Sequence, residues 1–194
     1  MRSERAGAFL VVLLAATAEA AVVERILAVV DGRPVLLSEV AMFEKVRGED
    51  LSRALEGLID EQLMYREAAR LPQAAVSAEE EQRAYEDLRR RVPAGTPDEE
   101  EQLRRLARRQ TAILKYVEFR FRPQVRVSEE AVREAYKAQA RPGGPSLEEA
   151  APALRERLAE EDLSRRIEAW IQDLRREADI RYNTKPPLSG EAAS

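Results

Sequence analysis

The stretch Glu24-Arg25-Ile26-Leu27-Ala28-Val29-Val30-Asp31-Gly32-Arg33-Pro34-Val35-Leu36-Leu37 decides the fold of this chain. Its first half is aliphatic and β-branched, and Asp31-Gly32 follows at once. Asp-Gly supplies the positive φ angles of a tight primed turn, so the run predicts an antiparallel hairpin. Pro34 has no N–H to give to a ladder, which places the return strand at an edge. Residues 22–37 are the one clear strand region, and nearly everything after them reads as helix. The fold class is therefore mainly α with a small β-hairpin.

Ser38 caps a short helix running to about residue 46, with Glu39 favourable at its positive end. Residues 51–70 form a strong helix with Leu51, Leu55, Leu58, Ile59 and Ala69 on one stripe. Leu63, Met64, Tyr65 and Ala68 carry apolar character to other faces, so its middle should be wedged between neighbours. Ser77 with Glu80, Thr96 with Glu99 and Ser146 with Glu149 are capping boxes that open three more helices. The first has a thin apolar face of Ala84, Tyr85 and Leu88. The second carries Leu103, Leu106, Gln110, Ile113, Val117 and Phe121 on one stripe and ends before Pro123. Val127-Ser128 opens a further helix, with Val127 and Val132 placed as a hydrophobic staple.

Arg141-Pro142-Gly143-Gly144-Pro145 is the sharpest break in the chain, a linker at 141–145. The helix after Ser146 runs to about residue 177, and Pro152 is expected to kink or restart it. Its apolar stripe changes face on the way. Leu154 and Leu158 share one side, while Leu163, Ile167, Trp170 and Leu174 lie nearly opposite, so the two halves must pack on different surfaces. Trp170, the only Trp, is expected to be buried against the N-terminal helices. Asp179-Ile180-Arg181-Tyr182 alternates like a strand. A lone strand is unstable, so it should pair with the hairpin and bring the two ends of the folded chain together. Residues 183–194 read as a disordered tail.

Composition narrows the chemistry. The 194 residues contain neither His nor Cys. That removes nucleophile systems built on His or Cys, disulfides and zinc sites of the usual ligands. No Gly-rich phosphate loop and no metal-loop spacing of Asp or Asn appears, so neither a cofactor nor a metal is expected. Charged residues make up 35%, yet the net charge is only −4, with Glu and Arg closely interspersed. This is a salt-bridged helical surface, and nucleic acid is not an expected partner.

The first residues read as an address. Two Arg within Met1–Arg5 precede an apolar run from Ala6 to Ala18, and Ala18-Glu19-Ala20 has the small-x-small form of a cleavage site. Residues 1–20 are thus expected to be a secretory signal peptide, with the mature chain starting near Ala21. The apolar run is short for a membrane span, and no later stretch is long enough. A soluble periplasmic protein without stable membrane insertion is the expectation.

Three pieces in order carry a family resemblance: Ala28-Val29-Val30-Asp31-Gly32 through Leu37-Ser38-Glu39-Val40, then Leu58-Ile59-Asp60-Glu61-Gln62-Leu63-Met64, then Ala169-Trp170-Ile171-Gln172-Asp173-Leu174-Arg175 with the terminal strand. From about residue 22 to 182 the chain resembles the family of the periplasmic chaperone SurA. The resemblance implies that an N-terminal helical domain (21–140) and a C-terminal helix with its strand (146–182) fold into one chaperone core. Relatives normally carry a parvulin-type prolyl isomerase domain between these parts. Here the corresponding place is the 141–145 linker, which leaves no room for one. What remains implied is an ATP-independent holdase for unfolded exported or outer-membrane proteins, and not an enzyme. A cell-envelope adaptor that holds one specific partner is the alternative reading.

A holdase needs apolar and flexible side chains on a rigid scaffold. Tyr116 and Phe119 fall off the stripe of Leu106, Ile113 and Val117. Met64 faces away from Leu55 and Leu58, and Met42 and Phe43 sit on the short helix after the hairpin. These five are the candidate client-binding residues. The alternative for each is that it fills a second core face against the C-terminal helix.

Overall fold

Asp31 and Gly32 take φ angles of 48° and 78°, the left-handed pair that a two-residue primed turn requires. They join β1 (Ile26–Val30) to β2 (Arg33–Leu36) in an antiparallel hairpin. The computed structural model describes residues 24–139, 141 and 144–183. The signal peptide expected at 1–20 lies outside them, as do the tail from 184 onward, residue 140 and the linker residues 142 and 143. In the hairpin the register slips between Ile26 and Ala28. A bulge re-aims a side chain, and the neighbours Leu27 and Ala28 are both buried.

The C-terminal strand β3 (Ile180–Tyr182) pairs antiparallel with the free side of β1, Ala28 facing Tyr182 and Val30 facing Ile180. The strand order is β2-β1-β3, so Pro34 stands on an edge strand as its missing N–H demands. Asn183, which the sequence assigns to the tail, continues the pairing by donating its N–H to the Leu27 carbonyl at 2.9 Å. At the turn, Asp31 ties both ends together. Its N–H donates to the Asp179 carbonyl, its carboxylate accepts from the Asp179 N–H, both at 2.9 Å, and Arg66 pairs with its second oxygen.

Six α-helices lie among the described residues: α1 (Leu37–Arg47), α2 (Leu51–Ala68), α3 (Ala78–Arg91), α4 (Pro97–Arg120), α5 (Glu129–Gln139) and α6 (Leu147–Glu177). Ser77 and Ser146 cap α3 and α6 in complete capping boxes. Three local expectations need correction. Helix α1 starts one residue before Ser38, which is therefore inside the first turn; Glu39 instead accepts from the Leu36 N–H at 3.3 Å. At α4, Thr96 caps the Glu99 N–H, but the Glu99 carboxylate reaches past it to the Gly95 N–H at 2.8 Å and to Lys45 at 2.7 Å. Pro152 does not restart α6, which is one helix with Pro152 exposed on its surface. A proline this near the start removes a single bond, to the Glu148 carbonyl, which water can satisfy.

The main core joins Leu27, Val30 and Val35 of the sheet to Val40 and Phe43 of α1, Leu55, Leu58, Ile59 and Leu63 of α2, Tyr85 and Leu88 of α3, Leu103 and Leu106 of α4, and Leu174 of α6. Helix α2 is enclosed as its all-round apolar middle predicts. At the far end of α2, Ala68 clusters with Ala74 and Ala112. A third cluster, Val132, Ala151 and Leu154 with Val127 and Leu158 around it, holds α5 on the first half of α6. The change of face along α6 thus has the expected result: its first half packs on α5 and its second half on the main core. Arg175 fastens that second half to α2, donating to the Glu56 carboxylate at 2.9 Å and carbonyl at 3.1 Å and pairing with Asp60.

Candidate functional site

Helix α4 is longer than the body it supports. It runs beside α2, with Glu61 of α2 at the level of Arg109 and Ala68 clustered with Ala112. There α2 ends, and α4 continues to Arg120. Its last turns therefore carry apolar residues past the cover that α2 provides. Leu114 is 60% exposed and Phe119 52% exposed, the two most exposed large apolar side chains among the described residues.

The second half of α6 partly covers the same place. Trp170 stacks on Tyr116 with ring centroids 4.8 Å apart and planes 12° apart. Phe121, just after α4, leans on Trp170 at 5.2 Å and on Tyr116 at 6.1 Å. All three rings are half-buried. Such offset and tilted pairs add to what burial alone contributes. Arg122 frames the cluster, donating to Glu118 on its own side at 2.6 Å and to Glu160 of α6 at 3.0 Å. These bonds raise the Arg122 pKa further, so the guanidinium stays charged. The result is a fixed aromatic surface between the main core and the α5–α6 hairpin, with Phe119 and Leu114 standing free of it.

The five sequence candidates divide across this geometry. Phe119 is exposed as its wheel position indicates, and Tyr116 is half-exposed in the ring stack. Met64 is half-buried against the main core. Met42 and Phe43 present no surface, each being only 4% exposed. The cause for Phe43 is Gly57 of α2: a Cβ there would come within 2.9 Å of the Phe43 ring. Phe43 lies in the notch that this glycine leaves, so both residues of the pair belong to the core.

Three residues of the surface went unassigned in the sequence. The sequence stripes assign Trp170 and Phe121 to the core, and Leu114 stands outside the candidate set. Leu114 lies near the heading of Leu103 on the helix wheel, which reads as core. Only the length of α4 relative to α2, 24 residues against 18, carried a signal that its end would be uncovered.

The arrangement offers apolar contact. Among the described residues no group of three or more His, Cys, Asp or Glu could hold a metal ion, and no helix is long and apolar enough to cross a membrane. No protein-family model matches the chain, and no curated protein matches it.

Proposed function

We propose that the protein is a periplasmic, ATP-independent holdase that shields unfolded exported or outer-membrane proteins, without prolyl isomerase activity. The observation that carries this reading is the half-exposed ring cluster of Tyr116, Phe121 and Trp170 at the end of α4, whose last turns also carry the exposed Phe119 and Leu114. Exposed apolar residues are ordinary singly, but several aromatic and aliphatic side chains with surface on one stretch of helix support a contact role. The joining of β3 to the hairpin across the 141–145 break supports the SurA-like reading, since that family is expected to fold its two ends together around the insertion point.

A net charge of −4 gives little electrostatic capture, so binding rests on apolar area. The test is aggregation suppression of an unfolded β-barrel protein by the mature chain. Phe119→Ser with Leu114→Ser should weaken suppression several-fold while leaving the melting temperature nearly unchanged, because both side chains are exposed. Prolyl isomerase turnover on a short peptide would overturn the non-enzyme part. Absent suppression, together with one tight stoichiometric partner, would establish the adaptor reading instead.

A further inference from the structure

A concave region lies on another part of the molecule, between the hairpin and α2, with α4 behind it. This groove of about 370 Å³ has Pro34 and Tyr65 as its apolar rim over the buried Val30 and Leu63, and Arg33, Arg66 and Arg109 as its cationic part. Arg109 is the unusual member. Its side chain is only 16% exposed, and it donates its Nε–H to the buried Glu61 at 2.8 Å. Its two terminal nitrogens have no hydrogen-bond partner among the described residues, yet neither is sealed from solvent. Glu61 holds the guanidinium through Nε, while the Arg109 side chain lines the groove. Arg33 makes no ion pair among the described residues, whereas Arg66 is engaged by Asp31 and Glu67.

We propose that this groove is a binding site for a carboxylate carried by a polypeptide, either its C-terminal group or an acidic side chain. The Arg109 fork takes the carboxylate by two parallel N–H donations, the geometry in which guanidinium groups bind carboxylates best. Arg33 supplies the second cation. The residue next to the carboxylate rests on Pro34 and Tyr65, the two apolar lining residues that keep surface. Two carboxylates of the protein also line the groove, and both are occupied. Asp31 is held by Arg66 and by the Asp179 N–H, and Glu39 by the Leu36 N–H. With the buried Glu61 behind Arg109 counted beside Asp31 and Glu39, three guanidinium groups meet three carboxylates, and a wall without excess positive charge suits a singly charged carboxylate better than a phosphate dianion. The site is separate from the aromatic surface and does not depend on the holdase reading.

Fluorescence anisotropy with the mature chain tests it. The probe is a labelled peptide ending in Leu with a free carboxylate, compared with its C-terminal amide and with an amidated peptide carrying an internal Asp. The free acid should bind at least about tenfold more tightly than the amide, the scale of one hydrogen bond to a charged group. Binding of the Asp peptide would assign the site to acidic side chains as well; its failure to bind would assign it to chain termini. The Glu61→Gln, Arg109→Gln double variant should lose the preference for acid over amide. If that variant does not fold, Arg33→Gln, an exposed change, carries the test with a several-fold loss. Phe119→Ser should leave this binding untouched while weakening aggregation suppression, which separates the two proposals. Equal affinity for acid and amide, or displacement by phosphate more readily than by acetate, overturns the assignment.

Discussion

Glu61 is the one fully buried charged residue among the described residues, held by Arg109 at 2.8 Å and by Gln110 at 3.1 Å. Burial pushes its carboxyl above the ordinary value of 4.5, against the opposing pull of Arg109. A carboxyl raised on folding binds protons more readily in the native state, so it weakens the fold as pH climbs past that value. Removing its partner leaves a buried charge alone. Arg109→Ala should cost about 3–5 kcal/mol in urea unfolding at neutral pH, and a double replacement of the pair by Leu should recover most of it. The loss in Arg109→Ala should shrink toward pH 4, where Glu61 takes up a proton; an equal loss at both pH values would refute the charge explanation. Trp170 is a second case at this scale. Half-buried rather than buried, it should cost less on truncation than the roughly 3–5 kcal/mol of a core aromatic. What it adds specifically is coupling to Tyr116, about 0.5–1.5 kcal/mol in a double-mutant cycle of Trp170→Ala with Tyr116→Leu.

Helices and their limits were largely readable, because caps and stripes are local chemistry: Ser77, Thr96 and Ser146 each cap the helix that they announce. Contacts between elements were less readable. Phe43 sits over Gly57 because a glycine in mid-helix admits close approach. In the sequence Gly57 is only a costly residue in a good helix. Glu61 lies between Asp60 and Gln62, in a run where nothing marks which carboxylate turns inward. The caps themselves predict acid behaviour. Glu80 is held down to about 2, first by the Ser77 N–H and then by Lys115. A carboxylate depressed on folding contributes stability above its ordinary value of 4.5, and that contribution is lost as pH falls from there toward about 2. Glu80→Gln should therefore lower the urea midpoint at pH 7 and narrow the difference between pH 7 and pH 3. An unchanged difference would show that the cap does not contribute to the acid limb.

At the scale of the molecule, the chain closes on itself through its last described residues. Residues 24–139 contain the hairpin and five helices, but that part lacks one neighbour of β1, the Leu174 contact in the core and the guanidinium of Arg175 on α2. The α6–β3 segment supplies all three, and Tyr182 adds a hydrogen bond to Glu56 at 3.0 Å. Only the first half of α6 belongs to the α5 cluster. The second half of α6 is thus part of the N-terminal fold by packing, although the 141–145 linker separates the two in sequence. Two outcomes follow. A chain truncated after Arg141 should be poorly folded, with weak protection of β1 amides in hydrogen exchange. Adding residues 146–183 as a separate peptide should restore that protection, because the contacts that bind it do not run through the linker. Association will be weaker than in the intact chain, since the effective concentration that the linker provides is lost. If the truncated chain instead unfolds with the same urea midpoint as the whole protein, the C-terminal segment is an appendage, and the closure of the two ends contributes nothing to the fold.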